Sequence, residues 1–125
     1  MFVLDAGAFV ALERLDRDLI ARLKGERLKG RAPITHGGVV GQVWRGGAGR
    51  QAVLAKVLVA VQIEPLDVEL GKRAGVLLAR TKTRDVIDAA LALLATDGDE
   101  ILTSDPRDLR ALVKANGAHV EIVQV

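Results

Sequence analysis

The stretch spanning residues 83–109, TRDVIDAALALLATDGDEILTSDPRDL, restricts what this chain can fold into more than any other part of it. It reads as a helix with a carboxylate in its first turn, then a tight turn at Asp97-Gly98-Asp99. A buried strand over 100–103 follows, and the chain leaves it abruptly at Ser104-Asp105-Pro106, where another helix begins. A strand this short and this apolar belongs in a parallel sheet that is covered on both faces. The helices before and after it supply that cover.

The rest of the chain repeats the alternation. Phe2-Val3-Leu4 is a second short apolar strand, closing on Asp5, and residues 6–12 start a helix. Leu12, Leu15, Leu19, Ile20 and Leu23 keep helical spacing. Residues 25–32 form a basic, glycine-containing connection, and Pro33-Ile34-Thr35 leads into a helix whose apolar face holds Val39, Val40, Val43 and Trp44 and which carries Gln42. Trp44 is expected in the core or at a subunit contact. Residues 54–61 predict a helix, 61–65 a short strand, Leu66-Asp67 a turn and cap, and 68–78 another helix. A last helix runs to about Ala115, and an alternating strand over 120–125 ends the sequence. The predicted fold is one α/β domain over residues 1–125, with helices on both sides of a central, mostly parallel sheet.

Composition closes several functional classes. The absence of cysteine removes disulfides, thiolate zinc sites and cysteine nucleophiles together. Hydrophobic residues at 50% exclude a disordered chain. No apolar run reaches the roughly 18 residues of a membrane span, and no basic leader precedes the first strand, so a soluble, cytoplasmic protein without membrane partners is expected. The only Gly-Lys pair, Gly71-Lys72, is followed by Arg73, and no GxGxxG follows the first strand, which excludes a P-loop and a dinucleotide fingerprint. Residues 45–50 are instead a flexible basic loop. His36 and His119 sit in unrelated contexts and read as surface or packing residues rather than ligands. Aromatic residues at 2%, with no Tyr, leave no platform for stacking unpaired bases. Net charge is only +2, but Arg22, Lys24, Arg27, Lys29, Arg31, Arg45 and Arg50 face the single acid Glu26 within residues 22–50. Such a basic flank beside an acidic site would position a polyanion.

That acidic site is the central expectation. Asp5, Asp88 and Asp105 all fall near strand-to-helix edges, and an open parallel sheet binds ligands beyond the carboxyl ends of its strands. Each acid also has a capping explanation. Asp5 suits a helix N-cap, Asp105 with Pro106 and Asp108 suits a helix start, and Asp88 is placed to reach back to a cap at Asp85. Capping does not explain why three acids fall where a parallel sheet would bring them together. Gathered carboxylates need a cation, and their hard oxygens select Mg²⁺ or Mn²⁺. Such an ion activates water for attack on a phosphodiester.

With VLDAGAFVALER at the start, GQVWRGG in the middle, DVIDAALALLA around Asp88 and ILTSDPRDL around Asp105, the chain resembles PIN-domain ribonucleases of the VapC toxin type over essentially its whole length. The resemblance implies a PIN-like three-layer α/β/α fold and Mg²⁺- or Mn²⁺-dependent endonucleolytic cleavage of RNA. It also implies a homodimer and inhibition by a cognate VapB-like antitoxin. Asp5, Asp88 and Asp105 carry over as the catalytic, metal-binding acids. Two departures stand out. Ala6-Gly7 lies where many relatives have Ser or Thr, so a hydroxyl beside the first acid is missing, and Gln42 replaces a frequent glutamate in the middle helix. Both predict weaker metal binding, with Glu13, Asp85 and Asp108 as acids that could compensate and Gln42 as a neutral oxygen donor. The alternative is a degenerate PIN module that binds RNA or an antitoxin without cutting. A receiver-like signalling domain fits poorly, because Gln62-Ile63-Glu64-Pro65 offers only Glu64 where a phospho-accepting aspartate belongs.

Overall fold

The structure is a computed structural model that describes residues 1–47, 49 and 51–125. Its elements run β1 (Phe2–Leu4), α1 (Ala6–Glu13), α2 (Arg17–Leu28), β2 (Ile34–His36), α3 (Gly37–Val43), α4 (Ala52–Val59) and β3 (Gln62–Glu64). They continue with α5 (Val68–Thr81), α6 (Val86–Leu94), β4 (Glu100–Thr103), α7 (Arg107–Asn116) and β5 (Glu121–Gln124). The five strands form one sheet in the order β3-β2-β1-β4-β5, and every pairing is parallel.

The layers follow from this order. Connections between parallel neighbours are right-handed, so the side of the sheet a helix occupies depends on the direction in which the chain steps. From β1 to β2 to β3 the chain steps one way, and α1 packs with α2, α3 and α4 on one face. From β3 back to β4 and on to β5 it steps the other way, and α5, α6 and α7 pack with one another on the opposite face. The result is the expected three-layer α/β/α architecture.

Val3, Leu4, Ile101 and Leu102 are fully buried between the layers, with Phe9 of α1 against one face and Ala89, Ala90 and Leu91 of α6 against the other. Truncating a side chain such as Phe9 in a core of this kind costs about 3–5 kcal/mol. The alanines let α6 lie close to β2, against which it packs. Among the described residues, no helix is long and apolar enough to cross a membrane.

Several local expectations are corrected. Residues 34–36 are a strand rather than a lead-in, so the sheet gains a member and is parallel throughout. Leu15 does not continue a helix. Its φ of 60° breaks the chain between α1 and α2, and it is exposed. α2 in turn runs on to Leu28 through the expected connection. Trp44 is 42% exposed at the end of α3 and is therefore no core residue. Of the expected basic loop at 45–50, Ala48 and Arg50 lie outside the described residues.

Candidate acidic site at the carboxyl edge of the sheet

The direction of chain stepping reverses between β1 and β4, which are neighbours in the sheet. Such a switch point opens a crevice beyond the carboxyl ends of the two strands. Asp5 follows β1 and Asp105 stands two residues beyond β4, so the topology puts both at this crevice.

Asp5 is buried and held on three sides. Its N–H continues the ladder by donating to the Leu102 carbonyl at 3.0 Å. Its Oδ1 accepts from Ala6 N at 2.7 Å, capping α1, and its Oδ2 accepts from the Thr103 hydroxyl at 2.7 Å. Thr103 Oγ1 also accepts from Asp105 N at 3.1 Å. One fully buried hydroxyl thus joins the ends of both acid-bearing strands. Thr103 was not among the expected site residues. The signal was a hydroxyl closing an apolar strand, where burial demands a partner.

Asp85 and Asp88 approach from α6. Asp85 caps this helix through Ile87 N at 2.9 Å and Asp88 N at 3.2 Å. Among the described residues the Asp88 carboxylate has no hydrogen-bond partner, so the reciprocal half of the capping box does not form. Asp88 is half-buried and its pKa is pushed up to about 7, first by burial and then by the charges of Asp85, Asp5, Asp108 and Asp105. Four further carboxylates therefore lie close enough to oppose its ionisation.

The capping explanation also fails for Asp105. The cap position of α7 is Pro106, with no side-chain capping bond, because Thr103 turns the chain one residue later than the sequence suggests. Asp105 is instead exposed, and its one ionic partner among the described residues is Arg107 at 3.4 Å. Of the accessory candidates, Asp85 and Asp108 join the cluster electrostatically. Glu13 does not: it closes α1, on the order of 12 Å along the helix from Asp5, and lines a separate pocket with Arg45 and Gln51. Gln42 is exposed on α3, and among the described residues no hydrogen bond ties it to the acids.

Of the expected basic flank, Arg22 and Arg31 lie away from this site, and Arg50 lies outside the described residues. Arg22 pairs with Glu100 at 3.1 Å and lies over the Phe2 ring, at the amino edge of the sheet, and Arg31 pairs with Glu26 at 2.7 Å near the N-terminus. Arg45 is spent on the carbonyls of Gly41 and Trp44. Arg14 is better placed, since it lines a groove along α1 with Gly7 and Ser104. At that groove a Cβ on residue 7 would lie 2.6 Å from Ser104 Cβ and 2.7 Å from Ser104 N, so only glycine fits. The hydroxyl that Ala6-Gly7 lacks is present there on Ser104.

Among the described residues, no three acids or histidines are gathered closely enough to hold a metal ion as they stand. The chemistry of the donor set nevertheless fits a hard cation. All donors are carboxylates, and burial first, then the charges of the neighbouring acids, push the Asp88 carboxyl up to about 7, a penalty that a bound cation would relieve. Comparison with protein-family models and with curated proteins finds no match to this sequence.

Proposed function

We propose that this chain is a metal-dependent endoribonuclease of the PIN type, a VapC-like toxin acting in the cytoplasm. The observation that carries this reading is Asp88, a carboxyl pushed up to about 7 between burial and four other acids at the switch point of a parallel sheet. Asp5, Asp88 and Asp105 would hold Mg²⁺ or Mn²⁺, with Asp85 and Asp108 adding negative charge around them. Bound there, such an ion would supply charge neutralisation for the cluster, Lewis acidity towards the scissile phosphate and a water activated at neutral pH. Asp5, fixed by Ala6 N and Thr103, is the rigid member, and Asp105 is the exposed member that meets solvent and substrate. Arg107, paired with Asp105, and Arg14, in the groove with Ser104, suit phosphate contacts, which position RNA without reading its bases.

Control by a VapB-like antitoxin is supported by an apolar groove between α2 and α4. It is lined by Leu12, Ile20, Leu23 and Val57 and rimmed by Lys24, Arg27 and Lys56, so an amphipathic segment carrying acids would fit it. The test is cleavage of a mixed RNA pool by antitoxin-free protein with Mg²⁺, Mn²⁺ or EDTA, beside Asp88→Asn. Metal-dependent cutting lost in the variant establishes the activity. Folded protein that cuts with neither metal points to the non-catalytic binding module, a reading favoured by the neutral, exposed Gln42, and Gln42→Glu would then be expected to gain activity.

A further inference from the structure

His36 closes β2 at the same edge of the sheet as the acids and is fully buried. Both of its ring nitrogens are engaged. Gly38 N donates to Nδ1 at 3.0 Å, and Nε2 lies 2.9 Å from the Ile87 carbonyl oxygen. A backbone amide can only donate and a carbonyl can only accept, so Nδ1 is the bare nitrogen and Nε2 carries the hydrogen. An imidazolium would set a second N–H against that of Gly38. Burial accordingly holds the pKa of His36 below its ordinary value, against the Ile87 carbonyl and the carboxylates of Asp5 and Asp85, which favour the charged form.

The ring has space reserved for it. A Cβ on residue 38 would lie 2.8 Å from Cε1 and 3.0 Å from Nδ1, so the imidazole lies across a glycine in the first turn of α3. What the ring reaches is the carbonyl immediately before Asp88. The hydrogen bonds from Asp85 are internal to α6 and cannot place that helix on the sheet. The bond from His36 spans 51 residues and joins the first turn of α6 to the carboxyl end of β2.

We propose that His36 is a positioning residue, a neutral imidazole of one tautomer that fixes the start of α6 and so sets Asp88 over the carboxyl edge of the sheet. The value of that position for catalysis rests on the hydrolase reading above, whereas the tie between β2 and α6 does not.

Two variants separate the two ring bonds. His36→Asn keeps an acceptor for Gly38 N but has nothing that reaches Ile87, while His36→Gln reaches Ile87 and gives up the cap. Amide exchange in the first turns of α6 is expected to rise about tenfold in His36→Asn, the worth of one hydrogen bond, and to stay near wild type in His36→Gln, with α7 unchanged in both. Nitrogen-15 spectra of the wild-type ring should show hydrogen on Nε2 alone from about pH 6 to about pH 8. With Mn²⁺ alone as the probe, affinity should fall in His36→Asn and recover in His36→Gln. Equal exchange in the two variants, or a wild-type ring carrying hydrogen on Nδ1, overturns the proposal. Wild-type protein that binds no Mn²⁺ overturns the hydrolase reading instead, and the exchange data still decide the role of His36. Should His36→Asn fail to fold, the ring spectrum and His36→Gln decide it.

Discussion

A carboxyl moved from its ordinary 3.8 to about 7, as Asp88 is, binds a proton more tightly in the folded chain than in the unfolded one. Its contribution favours folding below about pH 4, declines as pH rises towards 7 and is flat above that. At 1.36 kcal/mol per pKa unit the full shift corresponds to about 4 kcal/mol, but the side chain is only half-buried, and solvent screening reduces this to on the order of 1–2 kcal/mol. Asp88→Asn should therefore be more stable than wild type in urea at pH 8, with the gap closing towards pH 4. Millimolar Mg²⁺ or Mn²⁺ should narrow the gap at pH 8 by stabilising only the wild type. A gap independent of pH would contradict the raised pKa. Gly7 gives a second prediction at this scale. Gly7→Ala forces its Cβ onto Ser104 N as well as on the side chain, so the turn after β4 must shift, at about 1–3 kcal/mol. Adding Ser104→Gly should not restore stability, because the backbone contact remains. Recovery in the double variant would show that only the side chain obstructs.

Among the elements, β4 carries the site and Thr103 is its hinge. Thr103→Val keeps the shape but removes the donor to Asp5 Oδ2, leaving a buried carboxylate oxygen without that partner. A loss of about 1.5–3 kcal/mol in urea unfolding is expected, the usual value of a hydrogen bond to a charged group, and Thr103→Ser should retain most of it. A neutral Thr103→Val would mean that Asp5 is held by its cap to Ala6 alone. The sequence made β1 and β4 legible because their apolar runs end abruptly at turn residues, β3 as a short run closed by Pro65, and β5 by its alternation. It hid β2, whose three residues include Thr35 and His36, two polar side chains that would discredit a buried strand. Their partners are the Leu4 carbonyl, 31 residues away, and the Ile87 carbonyl, 51 residues away, and no local pattern reveals such pairings. The same limit explains the caps. Asp5 and Asp85 cap as their spacing suggests, but the Asp-Pro pattern at 105 misleads because a hydroxyl from the preceding strand redirects the turn. Charge asymmetry along the chain likewise says nothing about which edge of the sheet receives it, and Arg22 and Arg31 went to the edge away from the acids.

At the scale of the molecule, exposed area bears on whether one copy is the working unit. A folded monomer of 13.3 kDa exposes about 6,500 Å² by the usual scaling, while this chain exposes 7307 Å². The excess, roughly 800 Å², is about one partner's share of a standard protein interface. The surface also carries apolar side chains that a monomer gains nothing by exposing, among them Leu28 and Val59 at about nine-tenths exposure, Val68, and Trp44. A homodimer would account for both features. Trp44, as the only tryptophan, is a built-in reporter for the expectation that it lies at the subunit contact. Sedimentation at micromolar concentration should give about twice the chain mass, and dilution through the dissociation range should shift Trp44 emission to longer wavelength as the indole meets water. A dimeric mass with unchanged emission would place the interface elsewhere, on the Leu28 or Val59 surface. A monomeric mass at every concentration would mean that the excess area serves another partner, and the apolar groove between α2 and α4 would then be the surface to test with an acidic amphipathic peptide.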